Sequence, residues 1–83
     1  MQLVNIGSGN LVNSERVIAV VSPDSAPVKR LISDGRERGN VIDATHGRKT
    51  KSVILSDSDH IILSYLSADK LAERFGAHTE EDE

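Results

Sequence analysis

The sequence predicts an α+β fold: a small, antiparallel, β-rich domain with one main helix and a short C-terminal helix, assembled into a homo-oligomer. Three observations predict it. Short runs of β-branched and aliphatic residues are bounded by Gly, Asn, Asp, Ser and Pro, the pattern of strands separated by turns. Residues 25–39 carry a helical apolar stripe between a start and a stop residue. The runs V-I-A-V-V, V-I-L and I-I-L are continuously apolar, whereas a half-exposed antiparallel sheet alternates.

Each element follows from its residues. Gln2–Ile6 reads as a short strand, Gly7-Ser8-Gly9-Asn10 as a turn, and Leu11-Val12 as the start of a second strand. Asn13-Ser14-Glu15 is turn material. Arg16–Ser22 is a strand by its β-branched content, and Pro23 ends it. Ser25 is placed to cap a helix, with Pro27 in the first turn, where its missing N–H costs little. The helix is expected to reach Arg38, with Gly39 as the stop. Val28, Leu31, Ile32 and Gly35 fall at i, i+3, i+4 and i+7, one narrow stripe in which Gly35 permits close approach. Asn40–Thr45 carries a strand centred on V-I-D-A, and His46–Thr50 is a loop. Lys51–Ser56 and His60–Leu66 form a hairpin through Asp57-Ser58-Asp59. Ser67 or Asp69 caps a final helix ending near Phe75-Gly76. Residues 1–76 form one domain, and 77–83 are an acidic tail expected to be disordered.

The continuous apolar strands need cover on both faces, and one main helix plus one short one supply little of it. A second copy of the chain, sealing strand faces or edges, is the expected remedy. A monomer with a compact sandwich-like core is the alternative at this size.

The chain has 83 residues and no cysteine, so disulfides and thiolate metal sites are excluded. No apolar run is long enough to cross a bilayer, and the N-terminus lacks a signal-peptide pattern, so a soluble, cytoplasmic protein is expected. The formal net charge of −3 comes from 10 Lys and Arg against 13 Asp and Glu. Four of those acids lie in the terminal T-E-E-D-E; without it, ten bases face nine acids, or +1. From Lys29 to Lys51 seven bases face three acids, and no acid lies between Asp43 and Asp57. Charge segregated in this way creates a local field that attracts polyanions despite a negative total. Chance clustering on a solvated surface is the plain alternative.

Motifs for chemistry are weak. Gly7-x-Gly9 lacks the third glycine of a dinucleotide loop and reads as a tight turn. Asp57-Ser58-Asp59-His60 has metal-ligand residue types, but neighbouring strand residues point to opposite faces, and turn formation explains the run. No nucleophile elbow is present, and neither an enzyme nor a cofactor is expected. On the helix, Asp34 is spaced to pair with Arg30 or Arg38, whereas Lys29 and Arg36 have no acid at i±3 or i±4 and lie about 20° apart on the helical wheel. They form a cationic edge, or side chains that merely solubilise the helix. Gly47-Arg48-Lys49-Thr50-Lys51 is the strongest candidate. Arg offers a planar fork to phosphate and Lys a point charge, and the Thr50 hydroxyl and loop amides add hydrogen bonds. Tyr65 and Phe75 are the only aromatic residues and neither lies in the basic stretch of sequence, so duplex DNA is favoured over a base-stacking RNA module.

N-I-G-S-G-N, R-V-I-A-V-V-S-P-D-S-A-P-V-K-R-L-I, V-I-D-A-T-H-G-R-K-T-K-S-V-I-L and S-D-S-D-H-I-I-L-S together resemble the RemA family of bacterial extracellular matrix regulators, over roughly residues 2–75. The resemblance implies a non-enzymatic, nucleoid-associated protein that activates transcription of biofilm-matrix genes. It implies a cyclic, ring-shaped homo-oligomer that bends or wraps duplex DNA along a basic rim. The family's DNA-contacting positions fall on Arg16, Arg48 and Lys49, and Pro27 matches its helix-start proline. Where the family often reads G-R-R-T-R, this chain has lysines at 49 and 51, which keep the charge without the bidentate fork. The candidate DNA-binding residues are therefore Arg16, Arg48, Lys49 and Lys51, with Lys29 and Arg36 from the helical wheel. Arg16 is expected near the others across the sheet. A small ring-forming RNA-binding protein and a module docking an acidic protein are the competing readings. No membrane or small-molecule substrate is expected as a partner.

Overall fold

In a computed structural model that describes residues 1–76, the chain runs β1 (Leu3–Asn5), β2 (Leu11–Asn13), a 3-10 turn (Ser14–Arg16), β3 (Val17–Val21), α1 (Ala26–Arg38), β4 (Val41–Asp43), β5 (Ser52–Ser56), β6 (Ile61–Ser64) and α2 (Ala68–Phe75). The acidic tail expected at 77–83 lies outside the described residues. No helix among the described residues is long and apolar enough to cross a membrane.

The helix ends are set by short polar side chains and glycine. Ser25 has extended backbone, and its Oγ accepts the Val28 N–H at 3.3 Å, satisfying one of the helix's orphan donors. At the other end Gly39 takes the left-handed conformation (φ 77°). Its N–H bonds the Arg36 carbonyl, and the Asn40 N–H bonds that of Gly35 at 2.8 Å, which closes a Schellman motif. In α2, Ser67 is the cap, accepting the Lys70 N–H at 3.1 Å, and Gly76 again ends the helix at positive φ.

The main sheet has the order β3-β5-β6-β4. β5 pairs antiparallel with both β3 and β6, but β4 pairs parallel with β6, Val41 opposite Ile61. The expectation of a purely antiparallel sheet is corrected here. The cause is α1, which crosses between β3 and β4 and returns the chain so that both strands run the same way. The β5–β6 hairpin, turning through Asp57-Ser58-Asp59, fills the space between them.

Alternate residues of the central strands feed two cores. On one face Val53, Ile61 and Leu63 are buried against Val28, Leu31 and Ile32 of α1. On the other, Ile54 and Ile62 are buried with Ile6, Ala44 and Leu71, and Val12, Val17, Val20, Leu66 and Phe75 pack around them. That second cover comes from the antiparallel β1–β2 hairpin together with α2. Two buried serines stitch the layers: Ser64 Oγ donates to the Ile6 carbonyl at 2.8 Å and Ser52 Oγ to that of Leu66 at 2.7 Å. The runs V-I-L and I-I-L are thus explained within one chain, whereas no residue of V-I-A-V-V in β3 is buried. For β5 and β6 one copy does have the material to cover both faces, contrary to expectation, because the β1–β2 hairpin is an additional covering layer. What stays open lies at the margins: Ile18 on edge strand β3 is 67% exposed, Ile42 on edge strand β4 47%, and Leu3 and Leu11 of the hairpin 52% and 56%.

Gly35 is the one buried residue of α1. A Cβ there would sit 2.6 Å from Ile61 Cδ1 and 3.1 Å from Val41 Cγ2, so the helix rests directly on β6 and β4. Gly35→Leu gains about 1 kcal/mol of helix propensity but overpacks this contact, and a net loss of about 1–3 kcal/mol is expected in urea unfolding. An unchanged midpoint would show slack between α1 and the sheet.

Candidate nucleic-acid interface

Strand directions decide which loops share an end of the molecule. β6 leaves the sheet where β5 enters it, since Ser64 is opposite Ser52. The loop between β4 and β5, residues 44–51, therefore lies beside Tyr65, which follows β6. β3 also ends there, Val21 opposite Val53, so α1 begins at this end.

Local bonds fold the loop. Asp43 Oδ1 accepts both the Thr45 N–H at 2.9 Å and the Thr45 hydroxyl at 2.6 Å. The Thr45 hydroxyl, then its N–H, hold the Asp43 carboxyl below the usual carboxylate range, and the positive charge of Arg36 adds a smaller pull against slight desolvation. The Thr45 carbonyl accepts the Arg48 N–H at 3.0 Å across His46 (φ 56°) and Gly47 (φ 81°), the paired left-handed residues of a type I′ turn. The Lys51 N–H then rejoins β6 at the Ser64 carbonyl, 2.9 Å. Arg48, Lys49 and Lys51 are left exposed, and none forms an ion pair among the described residues.

Tyr65 stands under this loop. Arg48 Cζ lies 4.9 Å from its ring centroid, a cation–π contact. The phenol oxygen accepts the Ser8 N–H at 3.0 Å, with the Ser8 hydroxyl at 3.5 Å. Those two donors, helped by the charges of Arg48 and Arg74, pull the phenol below its ordinary pKa, against the opposing effect of desolvation. Gly7, at φ 117°, packs so tightly on the ring that a Cβ would come 2.9 Å from Tyr65 Cε2. Arg74 joins the same hairpin tip, its Nη1 donating to the Asn5 carbonyl at 3.0 Å. Neither Tyr65 nor Arg74 is legible as part of the site from the sequence, because both lie far from the loop along the chain. Tyr65 is outside the basic region in sequence but inside it in space.

The other candidates divide. Lys29 sits in the first turn of α1, at the loop end of the sheet, exposed and without an ion pair among the described residues. Arg36 lies two turns along the helix, near Asp43. Arg16 does not sit near the loop. It precedes β3, where Val17 faces Ser56, a full strand of roughly 14 Å from Ser52. Its Nε donates to Asp57 Oδ1 at 2.8 Å, an exposed ion pair. Asp34 forms no ion pair with Arg30 or Arg38 among the described residues.

A family model described as extracellular matrix regulatory protein A-like matches residues 3–75. Among its relatives, a proposed regulatory protein of Gloeothece citriformis is 56% identical over 80 residues, covering 96% of this chain and 91% of that one. Another from Clostridium kluyveri is 53% identical over 83 residues, covering 100% and 90%. A third, from Geobacillus thermodenitrificans, is 55% identical over 74 residues, covering 89% and 85%.

Removing Asp43 should loosen the loop from its root. Asp43→Ala is expected to destabilise the domain by about 1 kcal/mol or less, since solvent screens the exposed carboxylate. Because folding depresses the Asp43 pKa, its stabilisation is present above the unfolded carboxylate value of about 4 and fades as pH falls through the lower folded value. Urea unfolding across a pH series should show the gap between wild type and variant closing in that window. A gap constant with pH would contradict the assignment.

Proposed function

The chain belongs to the RemA-like family, extracellular matrix regulatory protein A-like, and we propose that it is a DNA-binding transcriptional regulator that activates extracellular-matrix genes. In this reading it acts as a cyclic homo-oligomer whose loops bind and bend or wrap duplex DNA. The names of the family and its relatives are regulatory rather than enzymatic. The observation that carries the reading is the loop itself: Arg48, Lys49 and Lys51 stand exposed on one turn, with no acid in ion-pair range among the described residues. Unpaired cations on a rigid turn give up no internal partner when they meet phosphate.

Arg48 and Lys49 are assigned the main phosphate or minor-groove contacts, and Lys51 and Lys29 add charge at the same end. Arg36, two turns further along α1, is a weaker candidate contact. Arg16 reaches this surface only if assembly sets the opposite end of one subunit beside the loop of the next, so its role rests on the ring. One subunit offers few cations to the phosphate backbone, and an assembly multiplies them. The edge residues Ile18 and Ile42, exposed in one chain, suit such packing.

The RNA-binding alternative gains one observation, an aromatic ring inside the basic site. Arg48 already lies over that ring, which argues against its use as a free stacking platform.

Arg48→Ala combined with Lys49→Ala is expected to abolish duplex binding at physiological salt while leaving the light-scattering mass unchanged. Where residual binding is measurable at low salt, the slope of log K against log salt should become shallower by roughly 0.9 for each phosphate that is no longer neutralised. Unchanged binding and slope would remove the loop from the interface.

A further inference from the structure

We propose that Tyr65 is a positioning residue for DNA binding, seating Arg48 so that its guanidinium edge faces the phosphate backbone. This inference rests on the DNA-binding reading above. Four observations meet at this residue. Arg48 Cζ stacks 4.9 Å from the ring centroid. The phenol is pinned by the Ser8 N–H at 3.0 Å. Gly7 leaves no room for a side chain against the ring. The hairpin tip that does the pinning is itself tied down, with the Asn5 carbonyl held by Arg74 and Asn5 Oδ1 accepting the Gly7 N–H at 2.7 Å.

The chemistry follows from what each interaction uses. A cation–π contact engages the guanidinium face and leaves its N–H edges available. An exposed arginine otherwise gives up side-chain entropy when a ligand fixes it. Stacking on a ring already held at its oxygen meets part of that cost before the duplex arrives. Lysine at this position keeps the charge but not the flat seat, so Arg48 and Lys49 are unequal: Lys49 supplies diffuse attraction, Arg48 an oriented fork.

The test is a cycle of full-length variants on one short duplex at fixed salt: wild type, Tyr65→Phe, Tyr65→Leu, Arg48→Ala and the Tyr65→Leu/Arg48→Ala pair. Tyr65→Leu is expected to weaken binding roughly 2- to 5-fold per engaged subunit. Tyr65→Phe, which keeps the ring, should recover most of that affinity. In the Arg48→Ala background, Tyr65→Leu should have no further effect. Binding by Tyr65→Leu equal to wild type, or an equal weakening in both backgrounds, would overturn the proposal. Arg48→Lys, at an exposed position, guards against a Tyr65 variant that fails to fold: it should weaken binding like Tyr65→Leu, and wild-type affinity would count against the oriented fork. Ring-current shifts on the Arg48 side-chain protons of the free protein give a reading independent of DNA. Shifted resonances that relax in Tyr65→Leu support the seat, and random-coil values in wild type overturn it. If the wild type binds no duplex, the DNA reading falls by itself, and these shifts still decide whether Tyr65 holds Arg48.

Discussion

The structure depends on burying two neighbouring strands on both faces. Val53, Ile54, Ile61, Ile62 and Leu63 of β5 and β6 are all buried, and no single layer can cover them. α1 takes one face, and the β1–β2 hairpin with α2 takes the other. Once those layers are in place, chain direction fixes the rest. The β4–β5 loop, the residue after β6, the hairpin tip and the start of α1 converge on one end of the sheet. Three separate stretches of sequence thus build one basic surface, with Arg48 from the loop, Tyr65 from the end of β6, and Ser8 from the hairpin.

Electrostatics then distinguishes the two ends. The formal charge of −3 says little about either, because charges act within about a Debye length, ~8 Å in physiological salt. At the loop end Arg48, Lys49, Lys51 and Lys29 form no ion pair among the described residues. At the other end Arg16 is paired with Asp57, but both side chains are largely exposed, at 60% and 46%. Such a pair is worth between zero and about 1 kcal/mol. A phosphate can therefore compete for the Arg16 edges not engaged by Asp57, provided a neighbouring subunit brings the duplex there.

Elements governed by local rules are legible in the sequence. Ser25 and Gly39 delimit α1 because a cap and a left-handed stop act within a turn of the residue that carries them. The Asp57-Ser58-Asp59 turn and the basic loop are readable for the same reason. What the sequence hides is non-local. The parallel pairing of β4 with β6 follows from the crossing of α1, not from the composition of V-I-D. The short β1–β2 hairpin looks too slight to be a layer, yet Ile6 is among the most buried side chains. Tyr65 lies 17 positions from Arg48, and the strand register alone brings them together. The same register separates Arg16 from the loop, although both belong to one candidate set.

Amide hydrogen exchange, measured with and without a saturating duplex, tests most directly the claim that the β4–β5 loop carries the nucleic acid. The account predicts slowed exchange across residues 45–51 and at the hairpin tip around Ser8. Exchange unchanged across 45–51, with protection elsewhere in the domain, would contradict it.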